Sequence, residues 1–153
     1  RRLQFVRDRA QSAGLGIIAY LGHALLGETL WGLGDHDGAL AACLNAVAGL
    51  KRSGHVPSTA MACMAQARAM GHAVDPVSIF SPVSDYMDHQ PCVVVHVERA
   101  LAQARYADAN GCDKSEYTLE TVRLLTQISK GLNDTDRAAL RLHPWSREMR
   151  RTT

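Results

Sequence analysis

Glycine punctuation is the feature that most limits what this chain can become. Gly14 and Gly16, then Gly34, Gly54, Gly111 and Gly131, each interrupt a run whose apolar residues recur at three- and four-residue spacing. That spacing lays one stripe of side chains along one face of an α-helix. None of the runs reads as a strand. The composition agrees, with 22 Ala against 8 aromatic residues (2 Phe, 2 Trp, 4 Tyr). Alanine is the best helix former, and β-rich chains favour aromatic and β-branched residues. The expected class is all-α, and 153 residues suit one domain.

The spacing predicts about seven helices. The first covers 1–13, with Leu3, Val6 and Ala10 on one face and arginines on the others. The second runs over 17–33 and is apolar on most sides, through Ile17, Ile18, Leu21, Leu25, Leu26, Leu30, Trp31 and Leu33. Glu28 is its one charged side chain, so neighbours are expected on more than one face. The third covers 37–52, capped by Asp35 or Asp37, with Leu40, Cys43, Leu44, Val47 and Leu50 as its stripe. Lys51 and Arg52 close it, where the helix dipole favours cations. The fourth, 57–70, is built of Ala and Met and lets neighbours come close.

Residues 71–91 hold three prolines among Ser and Asp, which excludes one continuous helix, although a short one fits 82–87. A fifth helix is expected over 92–110, a sixth over 114–130 and a short seventh from 133 or 134 to 141. The expected organisation is helical hairpins over 1–72, a Pro-rich connection over 73–91, capping helices over 92–145 and a basic tail, 146–153, with a disordered end.

Residues 20–53, YLGHALLGETLWGLGDHDGALAACLNAVAGLKRS, resemble a tetratricopeptide repeat. Leu26-Gly27 matches that family's large–small pair, Leu30 its next bulky position, Gly34-Asp35 its turn, and Ala39, Cys43 and Ala46 its small packing positions. His23 stands where an aromatic is usual, and Lys51 where a proline often ends the repeat. The ending DTDRAALRLHPWSREMR is similar to the terminus of repeat arrays in large bacterial signalling ATPases and kinases. The resemblance implies a TPR-like α-solenoid of antiparallel helical hairpins. It also implies a concave groove lined by Leu21, Ala24, Glu28 and Trp31, holding a peptide or a partner helix. Trp31 would serve as its anchor.

The function expected from this pattern is a non-catalytic interaction or regulatory scaffold. Its partner would be a protein or peptide, or another domain of its own parent. Because the chain starts at Arg1, it is expected to be a piece of a longer signalling or regulatory protein. No GxSxG, HExxH or phosphate-binding Gly-rich loop occurs, and no cofactor is expected. The alternative from another class is a metal-dependent enzyme or sensor at His89, Cys92 and His96, since Cys92 and His96 share a helical face and His89 precedes by three. That spacing matches no known finger pattern.

A third reading is a helical nucleic-acid binder using Arg1, Arg2, Arg7 and Arg9 at one end and Arg137, Arg141, Arg147, Arg150 and Arg151 at the other. A net charge of only +2 and a non-basic centre argue against it. Cys43, Cys63, Cys92 and Cys112 form no CxxC pair, and the helical setting of the first two points to buried free thiols. With no signal peptide, the expected compartment is the cytoplasm. No apolar run approaches the roughly 18 residues of a membrane-spanning helix. Trp145, in His143-Pro144-Trp145, is expected to tuck against the preceding helix as a cap on the solenoid's end, with a docking stub as the alternative.

Overall fold

The computed structural model describes residues 2–89 and 92–152, with 150–152 as backbone. All of its regular structure is helical: α1 (Arg2–Ser12), α2 (Gly16–Gly32), α3 (His36–Arg52), α4 (Val56–Met70), α5 (Pro76–Phe80), a 3-10 turn (Ser81–Val83), α6 (Ser84–His89), α7 (Val93–Ala109), α8 (Ser115–Lys130), α9 (Asp134–Leu142) and α10 (Pro144–Thr152). The all-α expectation therefore stands.

The turns explain the helix boundaries. Gly34 takes φ +84°, a left-handed conformation that costs a side chain dearly and glycine nothing. It donates to Trp31 O at 3.0 Å while Asp35 N donates to Leu30 O at 3.0 Å, so the last carbonyls of α2 are satisfied within the turn. Asp35 then caps α3 by accepting from Gly38 N at 3.0 Å. His55 caps α4 in the same way, its Nδ1 accepting from Ser58 N at 3.3 Å. Left-handed Gly14, Gly34 and Gly54 recur every twenty residues, and forty residues separate the first residues of α2 and α4. The hairpin unit is thus longer than the roughly 34-residue tetratricopeptide unit.

Packing follows from small residues at the crossings. α2 lies between α1 and α3 and also meets α4, which meets α7, which meets α8. Ala39, Cys43 and Ala46 on α3 are fully buried. A Cβ on Gly27 would collide with Cys43 Sγ and would stand 3.0 Å from Ala39 O, so these two helices touch nearly backbone to backbone. Around α4 a second set gathers: Ala60, Cys63 and Ala67 meet Ile79 and Phe80 of α5, Val83, Met87 of α6, and Val95 and Ala102 of α7. Each large side chain buried there contributes about 1.5–3 kcal/mol relative to leaving it in water.

The Pro-rich connection is therefore ordered through His89. Its short helices replace a continuous one because Pro76 and Pro82 sit in first turns, where no N–H is needed. Gln90 and Pro91, the end of that expected segment, lie outside the described residues, as do Arg1 and Thr153.

The C-terminal end differs from expectation. Residues 144–152 form α10 rather than an irregular basic tail. The reason is apolar spacing: Trp145 and Met149 lie four apart and pack on Val97, Leu101 and Leu124 of α7 and α8. Among the described residues no helix is long and apolar enough to cross a membrane.

Candidate functional site

α2, α4 and α7 present their side chains to a common cleft of about 610 Å³, and α10 forms its fourth wall. Glu28 comes from α2, Met64 and Arg68 from α4, Val94, Glu98 and Arg105 from α7, and Trp145 and Glu148 from α10. Glu28 is the only charged side chain of α2, and Arg68 the only one of α4. They meet: Arg68 Nε donates to Glu28 Oε1 at 2.9 Å, and Arg68 Nη2 to Glu28 Oε2 at 3.3 Å. This two-point geometry orients both groups.

Glu98 is the hub of the cleft. It is only 2% exposed, although ionisable residues are rarely buried without partners. Its Oε1 accepts from Arg68 Nη1 at 3.1 Å and from the Trp145 indole Nε1 at 2.8 Å. Its Oε2 finds no hydrogen-bond partner among the described residues. Burial works to lower the Arg68 pKa, but hydrogen bonds and charge from Glu28 and Glu98 outweigh it and leave the guanidinium more firmly protonated than usual. One helical stretch along α7, Arg105 Nε donates to Glu148 Oε1 at 2.7 Å and its Nη1 to the Ala67 carbonyl at 2.9 Å. Three carboxylates, two guanidiniums and an indole thus line the cleft beside apolar Met64 and Val94. These groups suit recognition of a chain bearing both polar and apolar side chains.

The expected groove residues take different places. Glu28 lines the cleft. Ala24 is buried with Ala46, Leu50, Ala62 and Ala65, and half-buried Leu21 packs against the same cluster. Trp31 is half-buried against Ala39, Cys43, Ala69 and Met70. Its ring meets His36 edge-on at 4.2 Å between centroids and His72 at 5.0 Å.

His89, Cys92 and His96 are not brought together as a ligand set: among the described residues no group of three or more His, Cys, Asp or Glu is placed to hold a metal ion. The His89 ring nitrogen Nδ1 lies 2.7 Å from the Asp85 carbonyl. Of the basic ends, Arg7 pairs with Asp8 at 2.6 Å and Arg137 with Asp134 at 3.0 Å, while Arg1 and the side chains of Arg150 and Arg151 lie outside the described residues. All four cysteines are free thiols, with Cys43 and Cys63 buried and Cys112 exposed.

Sequence reasoning missed Arg68, Glu98, Arg105 and Glu148. The signal that could have found one of them is a lone charge in an apolar setting, Arg68 within AMACMAQARAM. Comparison of the chain with protein-family models, with curated proteins and with solved structures finds no match.

Proposed function

We propose that this helical module is a non-catalytic interaction or regulatory scaffold. It is tetratricopeptide-like in stacking antiparallel hairpins, and it serves a larger signalling or regulatory protein. Its binding surface is the cleft between α2, α4 and α7, which takes a peptide or helix from a protein partner or from another domain of the parent. The observation that carries this reading is the cleft itself: about 610 Å³ open beside a charged network that is already oriented by ion pairs. Groups held in place before binding lose less freedom when a partner arrives. Glu28 keeps the role that the repeat resemblance gave it, whereas Ala24, Leu21 and Trp31 serve packing.

Val94 provides a clean test, because it lines the cleft and is 42% exposed. Val94→Asp places a carboxylate in the first turn of α7, where the helix dipole tolerates it. Affinity capture with wild type and with Val94→Asp, both checked by circular dichroism, is expected to enrich a protein partner that the variant loses. Identical captures would place binding elsewhere and overturn the assignment.

A further inference from the structure

The fourth wall of the cleft is a segment of the chain itself. α9 and α10 leave α8 through residues 131–133 and return to α7. The arm is lightly anchored: α9 buries none of its residues, and Met149 alone is buried among the described side chains of 134–149. α10 meets the body with one face. Trp145, Glu148 and Met149 stand at i, i+3 and i+4, so they project from the same side of a helix. Trp145 donates to Glu98 at 2.8 Å, Glu148 accepts from Arg105 at 2.7 Å, and Met149 packs with Val97, Leu101 and Leu124. An amphipathic helix laid into a groove through such a face is a recurring mode of peptide recognition.

We propose that α10 is an intramolecular occupant of the partner site. The external ligand is an α-helix carrying the same face: an aromatic N–H donor, a carboxylate three residues later and an apolar residue at the fourth. It binds by displacing α10. The inference rests on reading the cleft as the partner site. Charge supports the choice of ligand, since Arg105 takes a carboxylate and Glu98 takes a donor. The seated α10 also leaves Glu98 Oε2 without a partner among the described residues, although that carboxylate is buried. An unsatisfied buried acceptor is costly, so α10 holds this hub less firmly than a fully paired helix would.

The probe is a fluorescein-labelled peptide copying residues 143–152, HPWSREMRRT, titrated into the full chain and followed by anisotropy. Trp145→Ala with Glu148→Ala removes the intramolecular competitor. The variant is expected to bind the peptide about tenfold more tightly than wild type, the factor for a site about nine-tenths occupied in cis. A peptide with both residues replaced by Ala should bind neither protein. Equal binding to both proteins, or no binding to the folded variant, overturns the proposal.

If the variant fails to fold, hydrogen exchange of wild type decides. Amides of 146–150 should exchange well ahead of those of 97–104, and equal protection contradicts a displaceable arm. The two readings separate cleanly. A partner lost on Val94→Asp but bound alike with α10 intact or disabled preserves the cleft and removes this role for α10. Peptide binding to the opened variant, with no partner captured through Val94, does the reverse.

Discussion

The close approach of α2 and α3 makes Gly27 the most revealing single position for the fold. Gly27→Ala adds one methyl where Cys43 Sγ already stands, with Ala39 O at 3.0 Å and Cys43 N at 3.2 Å behind it. Sγ is fixed in a fully buried side chain, and the other two atoms are backbone, so α3 itself must yield. Overpacking of this kind costs about 1–3 kcal/mol. Replacing glycine by alanine inside a helix returns about 1 kcal/mol. The net loss is expected at about 0–2 kcal/mol, which lowers Tm by up to roughly 8 °C in a chain of this size.

Gly32→Ala is the control, because nothing lies within 4 Å of its added Cβ. It should be neutral or slightly stabilising. Pairing Gly27→Ala with Cys43→Ala removes the thiol and should recover part of the loss, with a coupling of about 1 kcal/mol between the two sites. Urea melts followed by circular dichroism measure wild type, Gly27→Ala, Gly32→Ala, Cys43→Ala and the double variant. A stabilised Gly27→Ala, or strictly additive effects in the pair, would refute the close helix contact.

Trp31→Ala is expected to destabilise on the order of 2 kcal/mol, less than a fully buried Trp costs, while leaving cleft binding unchanged. Thermal melts and the peptide titration check the two halves of that statement. Burial pushes the Cys43 thiol up to about 11, helped by the Glu28 charge, and the Cys63 thiol up to about 12. At pH 8 iodoacetamide should therefore modify exposed Cys112 and half-buried Cys92, and reach Cys43 and Cys63 only after unfolding, as mass spectrometry can read. The raised thiol values also contribute stability that is complete below the ordinary value of 9.0 and is lost as pH rises through about 11 to 12.

His23 is shifted the other way, lowered by burial first and by the Arg7 charge next, against a smaller opposing pull from Asp8. Its contribution is present above the usual 6.5 and is lost as pH falls below it, because the unfolded chain takes up the proton first. His23→Asn should flatten the change in urea midpoint between pH 7.5 and pH 5.5. An unaltered slope would remove His23 from the acid response.

Much of the helix layout was legible because its signals are local. Gly34 followed by Asp35, and Gly54 followed by His55 and Pro57, combine a helix stop with a helix start within a few residues. The 146–153 end was harder, since a run of arginines hides the single Trp145–Met149 stripe that folds it back onto α7 and α8. The site was legible at a single residue. Glu28 stood out as the lone charge of α2, but its partner Arg68 lies 40 residues away on α4. The Arg105–Glu148 and Glu98–Trp145 pairs span 43 and 47 residues. No spacing rule within one helix reports contacts of that range. Trp31 shows the converse. Its place on the expected groove stripe says nothing of His36 and His72, which the next turn and the end of α4 bring against its ring.

The chain has two tryptophans, so its indole region offers two ¹⁵N–¹H signals that report on two different places. Trp145 sits in the cleft on Glu98, and Trp31 sits between His36 and His72. The most direct measurement is that spectrum of ¹⁵N-labelled protein during titration with unlabelled peptide 143–152, with Trp145→Phe supplying the assignment. The Trp145 signal should move toward the free-indole position as α10 leaves the cleft, and the Trp31 signal should stay where it is. Movement of Trp31 alone, or of neither signal at saturating peptide, would contradict the displacement of α10 from this cleft by a helix bearing its face.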